Sequence, residues 1–246
     1  ELFIGCAGGA NTTAEFTYQP VSAPQDYFYF RVAVKGLTGG HSGDDINKGR
    51  ANANKLLNRF LTQLASKYIL YLCEIDGGNL HNAIPREAQA LCAVPMKDKE
   101  SVRVDLNIYT AELENEYAAT EPNLRTELSS ESPCKEAIDM TTAGHLLRAV
   151  YAVHNGVYAM SQDIPGLVET SSNLASIKQV EGNKIKIVTS QRSSILSSRK
   201  DMSEMIRSAF LLGGAAVTTG EGYPGWKPNT CLLYTSPSPR DTERSR

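Results

Sequence analysis

The feature that most constrains this chain is a change of hydrophobic period around one glycine-rich run. Tyr27 to Lys35 alternate, with Phe28, Phe30, Val32 and Val34 on one side and Tyr27, Tyr29, Arg31 and Lys35 on the other. That period of two is a strand. Past residue 50, Leu56, Leu57, Phe60, Leu61 and Leu64 recur at helical spacing, so a helix follows. Between them lies Gly36 to Gly43, G-L-T-G-G-H-S-G, in which glycines permit backbone angles and close approaches that other residues forbid. His41 is thereby set on a tight loop. It is either a ligand-facing imidazole or an exposed histidine on a glycine-rich turn.

The same reading carries along the chain. Asp44, Asp45 and Asn47 are candidate caps for the first helix. Lys67 to Ile75 and Arg86 to Val94 read as strands joined through the turn Asp76-Gly77-Gly78-Asn79. Val102, Leu106, Tyr109, Leu113 and Tyr117 fit one helical face over a stretch too long for an ordinary strand, so a second helix is expected there. Leu124 to Leu128 closes the first half as β-α-β-β-α-β. A helix over Thr141–Val153 follows, then strands at Leu167–Val180 and Lys184–Ser190 about a hairpin turn at Glu181-Gly182-Asn183. Ser198 and Asp201 resemble a capping box for a last helix ending at Gly213-Gly214, before a strand at Ala215–Thr219. The expected fold class is α+β: two similar sheet-plus-helix-pair units, with helices on one face of each sheet.

Composition narrows the function classes. With 25 Lys and Arg against 27 Asp and Glu there is no basic footprint for nucleic acid, and no apolar run reaches the length of a membrane span. Five scattered cysteines without a C-x-x-C pair suit free thiols in a cytoplasmic protein. The opening Glu1-Leu2-Phe3-Ile4 reads as the middle of a strand, so the chain is expected to continue upstream. Cys231 to Asp241 resembles translated read-through of a sequencing adapter, and residues 229–246 are set apart as a non-native tail.

Four histidines are present. His145 and His154 have no partner at metal-ligand spacing, and His81 leads into Asn82-Ala83-Ile84-Pro85-Arg86. From spacing alone, Asn82 stabilises a turn or offers an amide to a ligand. Arg192, in S-Q-R-S-S, is a carboxylate-binding fork or a surface ion-pair partner. Thr170-Ser171-Ser172-Asn173 interrupts a strand as a ligand-facing bulge or as a solvent face.

In order along the chain, G-L-T-G-G-H-S-G-D-D-I, A-N-A-N-K-L-L, N-L-H-N-A-I-P-R-E-A, L-V-E-T-S-S-N-L and G-Y-P-G-W-K-P resemble the aminoacyl-histidine dipeptidases. These are the carnosinase-like cytosolic branch of the two-zinc aminoacylase and carboxypeptidase superfamily. The resemblance implies a lid and dimerisation domain at 13–228, in halves 13–133 and 134–228, with 1–12 a remnant of a catalytic domain. It implies hydrolysis of Xaa-His and other dipeptides by metal-activated water, with two zinc or other divalent ions held elsewhere in a longer parent. The H-x-D motif, the paired glutamates and the final histidine of the family are absent from this sequence, so no metal ligand is assigned and the chain alone is expected to be inactive.

Residue by residue, the resemblance makes His41 the oxyanion-stabilising histidine. Asn82 orients that histidine or the substrate, Arg192 receives the substrate carboxylate, and Thr170 and Asn173 line the substrate site. The implied partners are a dipeptide, the missing catalytic domain and a second copy in a homodimer. D-D in place of the family's glycine-acid pair after H-S-G, and V-T-S-Q-R-S-S around Arg192, are departures. The alternatives are another member of the superfamily, or a stand-alone binding or oligomerisation module.

Overall fold

Alternation and helical spacing translate into thirteen strands and four α-helices in the computed structural model, which describes residues 5–228. In chain order these are β1 (Gly8–Thr17), β2 (Pro20–Ser22), β3 (Tyr27–Lys35), β4 (Gly40–His41), α1 (Ala53–Lys67), β5 (Tyr71–Gly77), β6 (Ala83–Ile84), β7 (Ala88–Pro95), α2 (Lys99–Glu116), β8 (Arg125–Ser130), β9 (Glu136–Ile138), α3 (Met140–Ala152), β10 (Gly156–Met160), β11 (Val168–Val180), β12 (Lys184–Ser193), α4 (Leu196–Leu212) and β13 (Ala216–Thr219). The expected tail and the residues before Gly5 lie outside the described part.

The α+β class holds, but the two units share one sheet. Its order is β13-β1-β12-β11-β5-β7-β3-β8, with β10 added beside β11. The inner unit is β3-α1-β5-β7-α2-β8, and its strands lie in the order β5-β7-β3-β8. The outer unit is β1-α3-β11-β12-α4-β13, and its strands mirror that order outward from β11. Each is a β-α-β-β-α-β unit with antiparallel pairing throughout. The halves meet at a seam where Ile177 and Lys178 of β11 pair with Gly77 and Asp76 of β5.

Sequence order hid the nesting. The first strand of the outer unit is β1, at the start of the chain, and its helix α3 comes only after the whole inner unit. β1 crosses the boundary expected after residue 12 without a break, pairing with β12 and β13. The chain enters and leaves the inner unit through a neck made of β2 and β9, paired Pro20↔Ile138 to Ser22↔Glu136. Asp139 fastens the neck to α3, accepting the Gln19 amide at 2.9 Å and capping the helix at Thr142 N, 2.8 Å.

All four helices pack on one side of the sheet and close a single apolar core through both units, including Phe16, Phe30, Phe60, Tyr109, Ile187 and Phe210. Burying each large apolar side chain stabilises the fold by about 1.5–3 kcal/mol. The other side is polar, with Arg31–Glu74 and Lys178–Asp76 ion pairs, except where the neck covers Tyr29, Cys73, Leu91 and Ala93.

Two capping expectations are corrected. The first helix starts at Ala53, and Asn52 caps it by accepting from Asn54 N and Lys55 N, not Asp44, Asp45 or Asn47. Ser198 and Asp201 lie inside α4, which begins after Ile195 without a side-chain cap. Serine and acid spacing mark a helix start only where the backbone has not already turned.

Candidate functional site

The His41 loop, residues 36–52, is held at its base by one buried carboxylate. Glu121, 4% exposed, accepts Thr38 N at 2.6 Å on one side of the loop and Ala51 N at 2.9 Å on the other. Within the loop, Asp45 accepts the His41 amide at 2.8 Å and pairs with Lys48 at 2.6 Å and Arg50 at 3.2 Å. The Lys48 hydrogen bond and the His41 amide hold the Asp45 carboxyl at about 2. The acid pair that follows H-S-G thus braces the loop instead of capping the helix. Gly40 has φ +142°, and a Cβ there would run into Asp45 and Arg50.

A two-residue ladder carries the histidine. Gly40 and His41 of β4 pair with Ile84 and Ala83 of β6, and Ser42 N donates to Asn82 O at 2.8 Å. The His41 and N-A-I-P motifs, far apart in sequence, therefore form one structure. His41 Nδ1 accepts the Asp44 amide at 3.3 Å and lies 3.2 Å from the Asp44 carboxylate. In the neutral ring the first contact leaves the proton on Nε2; in the charged ring Nδ1–H donates to the Asp44 carboxylate. Nε2 is a donor in both states. The ring is 38% exposed, and with Asn82 it lines a cleft of about 730 Å³.

Asn173 belongs to this assembly from the outer unit. It is fully buried, and its Nδ2 donates to Ala83 O at 2.8 Å while its Oδ1 accepts from Asn52 Nδ2 at 3.3 Å. Its amide holds β6 in place and does not face open space. Asn52 also reaches Asn155 Oδ1 at 2.9 Å and Leu174 O at 3.0 Å, so one side chain caps α1 and crosses to the outer unit. Lys55 repeats the crossing: its Nζ contacts Val150 O, Tyr151 O and Val153 O at 2.8–2.9 Å, at the end of α3. Burial pulls this lysine down to about 8.

Arg192 sits on β12 on the side of the sheet away from the helices. Its Nη1 donates to Tyr223 Oη at 3.2 Å, while its buried Nε finds no partner among the described residues. Tyr223 belongs to G-Y-P-G-W, which is tied by isolated bridges to Gly9 and Cys6. Arg199, 6% exposed, secures the segment by donating to Gly9 O and Tyr223 O. Arg192 lines a second cleft, of about 400 Å³, with Gly43, Asp44, Glu169, Ser171 and Tyr223. An ideal Cβ on Gly43 would lie 3.3 Å from both Arg192 Nη1 and His41 Cε1. A side chain at this position would require Arg192 or His41 to give way by a few tenths of an ångström.

Thr170 does not join them. It pairs with Ser193, one position past Arg192, so strand alternation turns its side chain to the helix side. There it is fully buried, with its hydroxyl 2.9 Å from Ser193 Oγ. Ser171, directly opposite Arg192, shares the cleft instead. Of the five residues singled out from sequence, His41, Asn82 and Arg192 therefore reach open clefts. Asn173 supports them from behind, and Thr170 faces the core.

Ser171 was legible only as part of the Thr170–Asn173 interruption, while Glu121 and Asn52 were missed in the sequence. Of these two, Asn52 alone left a signal, as a polar residue directly before the first apolar helical repeat. Among the described residues no group of three His, Cys, Asp or Glu could hold a metal ion, and no helix is long and apolar enough to cross a membrane.

Residues 32–121 match the family described as peptidase dimerisation domain. Over 229 residues, 93% of this chain, the sequence is 37% identical to the cytosol non-specific dipeptidase of Escherichia coli (strain K12). The aminoacylhistidine dipeptidase of Vibrio alginolyticus superposes with a TM-score of 0.89 at 36% identity, over 92% of this chain. The chain spans about half the length of these relatives, 47% and 46% respectively. The chain is thus similar to about half of these dipeptidases, and within it residues 32–121 match the peptidase dimerisation domain.

Proposed function

We propose that this chain serves as the lid of a cytoplasmic metal-dependent dipeptidase and supplies the groups that recognise and polarise the substrate. The observation that carries the reading is the convergence of His41, from the inner unit, and Arg192, from the outer unit, on either side of Gly43. His41 Nε2–H donates to the scissile carbonyl oxygen as it gains negative charge, where a fixed donor counts most. Arg192 lines the second cleft and offers its guanidinium there to the substrate's free carboxylate, with Tyr223 Oη 3.2 Å from Nη1 to steady it. Asn82 holds the His41 ladder through its carbonyl and borders the cleft through its side chain.

The two zinc or other divalent ions that the family resemblance implies do not fit the described residues, which offer no ligand cluster. The ions belong to the remainder of a longer parent, as do the base and the water. Xaa-His dipeptides are the proposed substrates, and pairing with a second copy through the dimerisation domain is the proposed assembly.

The test is a chimera in which residues 5–228 replace the matching segment of the Escherichia coli cytosol non-specific dipeptidase. It should hydrolyse β-alanyl-histidine. His41→Ala should lower kcat by about a hundredfold or more with a smaller change in KM, as for a lost oxyanion donor. Arg192→Lys should weaken kcat/KM for the dipeptide by about 1.5–3 kcal/mol and scarcely affect the dipeptide amide. Equal losses on acid and amide, or a kcat for His41→Ala within a few-fold of the parent chimera, would refute the assignment.

A further inference from the structure

We propose that Cys73 and Cys134 are a redox-active dithiol that closes to an intrachain disulfide and clasps the neck to the seam strand. Cys73 lies on β5 and Cys134 two positions before β9, 61 positions apart, and their Sγ atoms are 2.8 Å from each other. A disulfide bond is about 2.0 Å long, so closure asks the sulfurs to move by less than about 1 Å. Both thiols are free in this structure. Cys92, beside Cys73 on the neighbouring strand, points into the helix-side core and is not part of the pair.

The surroundings give the two sulfurs different parts. Cys73 is 5% exposed, and burial together with the adjacent Cys134 pushes its thiol well up. Cys134 is half-buried at a cleft of about 220 Å³ bordered by Tyr18, Glu74, Glu136 and Gln179, which opens a path to small molecules. Cys134 is therefore the attacking sulfur and Cys73 the resolving one. The oxidant is a low-molecular-weight disulfide of the glutathione class. The Cys134 thiolate attacks one of its sulfurs, breaks the S–S bond and releases one small thiol, leaving a mixed disulfide. Cys73 then attacks Cys134 Sγ and expels the second small thiol. Two protein thiols and one small disulfide become one protein disulfide and two small thiols, with the two protons passing to the latter.

The bond would join two parts of the chain whose relation sets the site. β5 is the inner unit's strand at the seam, and the neck is where that unit is inserted in the outer one. His41 and Arg192 lie on opposite units, so a clasp at this place restricts the motion that would separate them. In a reducing compartment such a pair acts as a sensor instead of a permanent staple.

The experiment uses the full chain equilibrated with oxidised and reduced glutathione over a range of ratios, then alkylated and digested without reductant. The expected result is one cross-linked peptide pair joining Cys73 to Cys134, lighter by two hydrogens, that reverts on adding excess reduced glutathione. Cys73→Ser removes the resolving sulfur, and its Cys134 glutathione adduct should rise about tenfold or more over wild type. Both cysteines still alkylated at the most oxidising ratio, a cross-link between other cysteines, or no adduct rise in Cys73→Ser would each overturn the proposal.

Discussion

Replacing Asn173 by alanine should loosen the His41 ladder more than its distance from the histidine suggests. The wild-type amide makes two contacts in a fully buried place: it donates to Ala83 O at 2.8 Å and accepts from Asn52 Nδ2 at 3.3 Å. The second is the weaker loss, because Asn52 keeps Asn155 Oδ1 and Leu174 O as acceptors. The first removes the side-chain donor to the part-buried carbonyl of Ala83 on β6, and leaving it unsatisfied costs about 1–3 kcal/mol. The cavity left by the carboxamide adds roughly 1 kcal/mol. Together the variant should lose about 2–4 kcal/mol, or between about thirtyfold and a thousandfold in the folding constant. Urea unfolding of the purified chain reads this as a lower midpoint at unchanged m. Amide exchange at Ser42 and Ala83 should accelerate by more than exchange in α4, since the opening is local. Thr170→Val, which removes a buried hydroxyl on the helix side, is the control and should leave the Ser42 and Ala83 amides protected. A loss below about 0.5 kcal/mol with those amides unaffected would refute the claim that Asn173 holds β6.

Two further outcomes are expected. Lys55 has a folded pKa of about 8 against about 10.4 in the unfolded chain, so between these values the unfolded state binds the extra proton and stability rises with pH. Relative to Lys55→Met, the wild type should gain roughly 2–3 kcal/mol from pH 7 to pH 10.5 in urea titrations, and a gain that falls with pH would contradict the burial argument. Gly43→Ala should cost less than about 1 kcal/mol in stability, since its backbone angle is ordinary, while separating Arg192 from His41. In the chimera it should therefore reduce the preference for dipeptide over dipeptide amide, and an unchanged preference would place the carboxylate elsewhere.

Local pattern was legible where a neighbour along the chain determines the outcome. The alternation of Phe28 to Val34, the long helical stripe from Val102 to Leu113, and the Gly182-Asn183 turn with both residues at positive φ were all readable this way. The glycine-histidine run stood out for the same reason, because its backbone requirement is written in the residues themselves. What escaped depends on partners remote in sequence. Asn52 looks like any polar residue before a helix until Asn155 and Leu174 arrive from the outer unit. Glu121 has no pattern around it that announces a loop clamp. Thr170 and Ser171 are adjacent hydroxyls, and only the register against Ser193 and Arg192 decides which one meets the cleft. The shared sheet escaped because only two residues on each strand form the seam.

The nesting of one unit inside the other also sets an order in time. The inner unit closes through strands that are all made before the chain returns to α3, so it can condense while the rest is still being synthesised. The outer unit cannot, because Thr12 must wait for Thr189, 177 positions later, before β1 finds its ladder partner. Such distant closure is slow, and until it occurs β1 presents an unpaired edge. Arg192, carried on the strand that completes the pairing, is thus among the last groups to take its place, so the cleft around Arg192 matures after the His41 loop.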